Sequence, residues 1–357
     1  MKSYFDIFRL DPYGLTKAGV PGFPYLEPSQ MLLLEALEGI NTGNITDLSA
    51  RGGAVALALA ARGAKVVVSD PSAAALSCLQ QTGLPLGIFE NADIVLSILT
   101  GERGNARVTH SILEAFRCTK VGGVAFLAGD KDKGFERYFK EAKKIFGAGE
   151  IVARAKGFRA ARLERHHSKA LPALEPLRFS IAQRGHNLEC IAYAGAFASG
   201  KLDAASELLL AYLPNGKGRK VLDIGAGYGV LGGFLALEGA EVTMLEDDAL
   251  SVQSATATLA ANQVSGRVLH SDVDSALGAD EQFDLVVMNP PFHVGRDLRL
   301  DVAQEFIHAA ARHSSKNAEV WLVANHFLPY EAAMRQLGKL ETITKSNGFK
   351  VLQVVRQ

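Results

Sequence analysis

Apolar residues in this chain gather in short runs of strand length, separated by turns marked with glycine or charge, the rhythm of alternating strands and helices. FDLVVM (Phe283–Met288) is the clearest run and reads as a strand buried in a parallel sheet. VLD, ending at Asp223, EVTMLE, ending at Glu246, and the short RVLH before Asp272 read the same way. AASELLLAYL reads as a helix, with Asp203 as its cap and a ligand contact as that residue's second reading. EVWLVA reads as a strand that places Trp321 in the core. KDKGFERYFKEAKK is rich in lysine, yet interleaved acids at i,i+4 spacing make it an ordinary solvated helix.

The pattern occurs twice. Asp47 falls on Asp223, Asp70 on Glu246 and Glu27 on Asp203 in one gapless register. ALAARGAKVVVSD, ending at Asp70, then coincides with ALEGAEVTMLE, ending at Glu246, as helix end, turn and strand. Asp93 falls on Asp284 in a further strand, DIVLSIL against DLVVMNP. A period this long is a duplicated domain, not a solenoid repeat. The expected fold class is α/β, with two tandem doubly wound, Rossmann-like units built on mainly parallel sheets. The expected divisions are a first domain over 1–150, a basic linker over 151–190 and a second domain over 191–357.

The copies part company where chemistry would sit. Ser49, Arg51 and Ile98 stand at the positions of Gly225, Gly227 and Asn289, and only Gly229 keeps a counterpart, Gly53. An arginine in the loop occupies space a ligand needs, and an isoleucine side chain cannot accept a hydrogen bond. The first half is expected to have kept the fold and lost the reaction.

Composition narrows the classes. Lys+Arg and Asp+Glu balance at 38 each, so any nucleic-acid footprint must be a local patch. Cys78, Cys118 and Cys190 have neither CxxC nor metal-ligand spacing, and no metal is expected. The N-terminus lacks a signal peptide's apolar core and no apolar stretch approaches a membrane span, so a soluble cytoplasmic protein is expected.

Candidate chemistry concentrates in the second half. Asn289, Pro290, Pro291 and Phe292 follow the run Phe283–Met288, at a strand's carboxyl end, where open α/β sheets bind ligands. Two prolines hold the backbone extended and cannot donate, so carbonyl oxygens stay free to accept. An amide oxygen on Asn289, a carbonyl on Pro290 and the Phe292 ring suit a planar NH2 group such as a nucleobase amine. A rigid turn is the plainer reading. Gly225, Gly227 and Gly229 follow Asp223 and let the backbone approach a ligand closely. A dinucleotide fingerprint would need glycine at Val230, and Asp223 would repel a pyrophosphate. S-adenosylmethionine carries no phosphate, and its cationic amino and sulfonium groups favour a nearby carboxylate. Glu246 lies about twenty residues beyond the loop, where an acid binds ribose hydroxyls. Asp272 stands where a side chain accepts from the adenine amine.

These residues resemble the class I methyltransferases acting on exocyclic nitrogens, and most closely the small-subunit ribosomal RNA guanine-N2 family. The resemblance covers residues 197–356 and rests on FASGKLDAASELLL, VLDIGAGYGVL, TLAAN, NPPFH and VANHFLPY. Glu246 departs from it, since many members have Asp there, and so does a net charge of zero. The resemblance implies S-adenosylmethionine as cofactor, a ribosomal RNA or small-subunit particle as partner, and an inactive first domain. Asn289, Pro290 and Phe292 are then the catalytic group, with Asp223, Gly225, Gly227, Gly229, Glu246 and Asp272 holding the cofactor beside Asn289. A large-subunit RNA family shares much of this pattern, and related enzymes methylate adenine N6 or a glutamine amide. A non-catalytic RNA-binding assembly protein is the reading from another class.

Residues beyond the core motifs divide between RNA contact and structure. From Arg154 to Lys169 the chain carries six Lys/Arg and one acid, Glu164. Arg159, Arg162 and Arg165 read as phosphate contacts, or equally as a solvated linker or a charge-protected edge strand. His293 is a candidate for orienting the base, and Asn325, Phe327 and Tyr330 for walling its pocket, with ordinary packing as the alternative. A monomer is expected.

Overall fold

The computed structural model describes residues 3–10, 13–197, 200–291, 293–294, 297–298 and 300–357. The chain divides into two compact units, Met1–Leu174 and Glu175–Gln357.

The second unit is built on a seven-stranded sheet. Its order runs Gly266–His270, Glu241–Glu246, Lys220–Ile224, Phe283–Met288, Ser314–Asn325, Phe349–Arg356, Gly338–Ser346. The first five run parallel, and Phe349–Arg356 pairs antiparallel with both of its neighbours, Ser314–Asn325 and Gly338–Ser346. Parallel strands need crossovers, supplied by the helices Val230–Leu237, Ala249–Ala261 and Leu300–His313. Continuous apolar runs allow burial on both faces: Val221, Leu222, Leu285, Val286, Val287 and Met288 are all fully buried. The hairpin Leu177–Gln183 and His186–Ala192 lies outside this sheet. Two residues of the TLAAN motif clasp it: Thr258 Oγ1 accepts from the Ile191 N–H, and Asn262 exchanges hydrogen bonds with the Glu189 backbone.

The first unit repeats the plan with six strands. Lys65–Val68, Asn44–Asp47, Ala92–Leu99 and Thr119–Asp130 run parallel, and Phe158–Arg165 then pairs antiparallel with both Thr119–Asp130 and Gly147–Ala155. The strand matching Gly266–His270 is reduced to a single bridge, Val68 to Leu86. The duplicated doubly wound architecture is as expected, with mixed sheets, each closed by an antiparallel pair.

The expected basic linker over 151–190 is corrected. Residues 151–165 complete the first sheet, and the hairpin over 177–192 belongs to the second unit. Lys156 and Gly157, at φ +39° and +85°, form the tight turn joining Ala155 to Phe158, the geometry of a two-residue hairpin loop. Arginine alternates there with Ala160, Ala161 and Leu163, all fully buried, so a charge run conceals an interior strand.

Candidate active site

Four neighbouring strands of the second sheet end on one edge. Ile224 pairs with Leu245 and Met288, and Glu246 pairs with His270. Their carboxyl ends therefore bring together the glycine loop, Glu246, the Asp272 turn and Asn289, as the doubly wound plan requires.

The loop is tied down from beneath. Gly225 and Ala226 N–H groups donate to Leu245 O at 2.8 and 3.0 Å, and the Gly227 N–H donates to Glu246 Oε2 at 2.8 Å. Gly225 is a glycine for two reasons: φ is +78°, and a Cβ would meet the Phe306 ring at 2.8 Å. Gly227, at φ +59°, differs. Among the described residues a Cβ there would meet nothing nearer than Phe197 Cβ at 3.9 Å, which leaves room for a ligand. Gly229 instead packs on Ala255 of the neighbouring helix, a structural task.

Asp223 lies beneath the loop, fully buried. Its Oδ2 accepts from the Gly232 N–H at 2.9 Å, while Oδ1 has no hydrogen-bond partner among the described residues. Burial pushes its carboxyl up to about 7; the Gly232 N–H opposes this and the Glu246 charge adds to it. Glu246 Oε1 also accepts from the Asp248 N–H. Buried Asp272 is fixed through its own N–H, which donates to Ser275 Oγ.

Asn289 is held by residues far away in the chain. Its Nδ2 donates to Asp203 Oδ2 and to Ser206 Oγ, both at 3.1 Å. Asp203 also caps the helix Ala204–Tyr212, accepting from the Ser206 N–H at 3.0 Å. Pro290 is buried beside Asn289. Phe292 lies outside the described residues, as does the side chain of His293. Ser206 and Phe306 join the site with no sequence signal, since one is a helix serine and the other reads as ordinary core.

The same positions in the first unit are filled from within. Arg51, at φ +55°, is buried; its Nε pairs with Glu27 Oε2 at 3.0 Å and its Nη1 with Asp70 Oδ2 at 3.4 Å. Its backbone N–H donates to Asp70 as Gly227 does to Glu246. Ser49 Oγ accepts from the Ile98 N–H at 2.6 Å, joining the loop to the strand end. Asp47 is buried like Asp223, and burial pushes its carboxyl to about 7 as well.

The three arginines read as a phosphate strip do not share one surface. Strand alternation sends Arg159 and Arg165 to one face of the sheet and Arg162 to the other. Arg165 donates to the carbonyls of Phe116 and Thr119, and lies over the Phe116 ring, so it caps the C-terminus of the helix Asn105–Cys118. Arg159 binds Phe158 O and approaches Glu136 at 3.5 Å. Arg162, with 38% of its side chain exposed, lies near Glu164. Phe327, by contrast, is 62% exposed beyond the strand Ser314–Asn325, whereas Tyr330 is buried with a hydroxyl pushed by burial to about 12. Among the described residues no cluster of three or more His, Cys, Asp or Glu side chains is arranged to hold a metal. No helix among them is long and apolar enough to cross a membrane.

The sheet order, the glycine loop and the Asn-Pro-Pro strand end define the second unit as a methyltransferase domain of the doubly wound α/β class. Residues 187–353 match the family model for the methyltransferase small domain. The chain is 31% identical over 277 residues to ribosomal RNA small subunit methyltransferase C of Stutzerimonas stutzeri (strain A1501), covering 76% of this chain and 81% of that protein. It is 32% identical over 281 residues to the protein of the same name from Pseudomonas aeruginosa (strain UCBPP-PA14), covering 77% and 82%. Among solved structures, the T. thermophilus 16S rRNA N2 G1207 methyltransferase in complex with AdoMet and guanosine matches with a TM-score of 0.91 and 37% identity, over 99% of both chains. The chain belongs to the ribosomal RNA small subunit methyltransferase C family.

Proposed function

We propose that the second unit transfers a methyl group from S-adenosylmethionine to the exocyclic N2 amine of a guanine in 16S ribosomal RNA, in the cytoplasm. The guanine equivalent to the one named for the T. thermophilus relative is the target we assign. The first unit, on this reading, performs no transfer and supplies structure and docking surface. The observation that carries the reading is the Asn289 amide: its NH2 is engaged by Asp203 and Ser206, which leaves its oxygen as an acceptor at the strand end.

The residues fit the cofactor. Open space beyond Gly227, an unpartnered buried oxygen on Asp223 and the Glu246 carboxylate suit a cationic, hydroxyl-bearing ligand without phosphate. Glu246 would hold ribose hydroxyls, Asp272 the adenine amine, and the loop backbone the amino-acid end. When bound, S-adenosylmethionine supplies an electrophilic methyl group on a sulfonium.

The protein's task is to make a poor nucleophile competent. Guanine's N2 lone pair is delocalised into the ring. Acceptance of its two N–H bonds by Asn289 Oδ1 and the Pro290 carbonyl favours a pyramidal nitrogen with its lone pair free. Phe292 would stack on the base. The proton can leave to solvent afterwards, so no strong general base is needed. A guanine within RNA structure must first be turned out of its stack.

The test is incubation of unmodified 16S RNA, free and in small subunits, with methyl-labelled S-adenosylmethionine, followed by mass analysis of nucleosides. N2-methylguanosine is expected from the wild type. Asn289→Ala should lower its rate about 10²–10³-fold with cofactor affinity retained, as for a lost transition-state hydrogen-bond partner. Label on adenine N6 or on a protein amide would overturn the assignment.

A further inference from the structure

We infer that Asp203 is a positioning residue for the transfer, whose charge determines which end of the Asn289 amide faces the substrate. The inference rests on the function proposed above and deepens it. An amide presents an oxygen and an NH2 of nearly equal size, so packing alone does not choose between them. Electrostatics does. Asp203 Oδ2 lies 3.1 Å from the amide nitrogen of Asn289, and a carboxylate can only accept. The reversed amide would set oxygen against carboxylate at that separation and turn a donor toward the guanine amine, which is itself a donor. Asp203 therefore excludes the unproductive orientation, and Ser206 Oγ, also at 3.1 Å, supports the productive one.

Capping does not explain this residue fully. Asp and Asn cap helices about equally well, so a cap alone has no need of charge. The first copy supplies an independent comparison. Glu27 holds the equivalent position before the helix Pro28–Ala36, and its carboxylate reaches Arg51 in the loop. Ile98 stands where Asn289 would be and offers no amide to orient. An acid before this helix serves the strand-end site in both copies, with the partner set by what the site contains.

An exchange experiment separates positioning from capping and from cofactor binding. Single-turnover methyl transfer to 16S RNA, cofactor affinity and melting temperature are measured for wild type, Asp203→Asn, Asn289→Asp and the double variant. Asn289→Asp alone opposes two carboxylates and should slow transfer by about 100-fold or more, the scale of a misplaced transition-state partner. Asp203→Asn keeps the cap but loses the charge that selects the amide orientation, and should slow transfer roughly 10-fold with cofactor affinity unchanged. In the double variant the Asn at 203 donates to the Asp at 289, and transfer should recover at least about 10-fold over Asn289→Asp, the signature of a coupled pair. Asp203→Ser, which retains a capping hydroxyl, should also be slow without a lower melting temperature.

A double variant no faster than Asn289→Asp, with wild-type activity normal and all proteins folded, would overturn the positioning role. So would an Asp203→Asn protein that loses cofactor affinity while its single-turnover rate at saturation is unchanged. A wild type that binds cofactor but methylates no guanine would instead overturn the functional proposal itself.

Discussion

The two copies share a backbone plan and a set of carboxylates, and differ in what neutralises them. Glu27, Asp47 and Asp70 in the first unit occupy the positions of Asp203, Asp223 and Glu246 in the second. In the first, Arg51 is built into the loop and pairs with Glu27 and Asp70. In the second, Gly227 puts no side chain there, and among the described residues nothing else comes nearer than 3.9 Å to its would-be Cβ. A site shaped for a cationic ligand retains its demand for positive charge after the ligand is lost, because buried carboxylates without a counter-charge are costly. On our reading the first unit meets that demand permanently from its own sequence, whereas in the second Asp203 turns to the Asn289 amide and Asp223 and Glu246 are left to the cofactor.

The sharpest way to break the comparison is to convert one copy into the other. Gly227→Arg should fold, because Arg51 already adopts φ +55° against +59° at Gly227, and Asp203 and Glu246 stand ready to receive the guanidinium. It should lower S-adenosylmethionine affinity by more than about 100-fold, roughly 3 kcal/mol, in calorimetric titration. Unchanged affinity would mean that the open space is not the cofactor's. Removal of the built-in cation by Arg51→Leu leaves Glu27 and Asp70 without that partner and should destabilise the first unit by about 3–5 kcal/mol in chemical denaturation, without creating a second site.

Smaller in effect is a pH signature that both copies share. The Asp47 carboxyl is raised from 3.8 to about 7 in the fold by burial, so the folded state holds a proton that the unfolded chain releases. Stability contributed by this position is therefore greatest at low pH and is lost as pH rises from about 4 to 7. Asp47→Asn retains an acceptor for the Ser49 N–H but carries no charge. Its melting temperature should equal that of the wild type near pH 4 and exceed it above pH 7; a constant difference across that range would contradict the assignment.

The duplication was legible because strand, loop and helix lengths are preserved between the copies, and the acids mark the strand ends in register. The strand-end site was legible for the same reason: in a doubly wound sheet, the residues after successive strands must meet. Two features were not. Residues 151–165 looked like a linker because arginines mask the buried Ala160, Ala161 and Leu163 between them, and Arg165 acts on carbonyls of a helix end nearly fifty residues earlier. The bond from Asn289 to Asp203 spans 86 positions, and local pattern does not reveal which of a capping residue's neighbours across the fold it will touch.

On our reading one copy binds the cofactor and the other has replaced it with Arg51. Calorimetric titration of the whole chain with S-adenosylmethionine, alongside Gly227→Arg, tests this directly. One site per chain is expected in the wild type, and none of comparable affinity in the variant. Two sites in the wild type, or one of wild-type affinity remaining in Gly227→Arg, would contradict this reading.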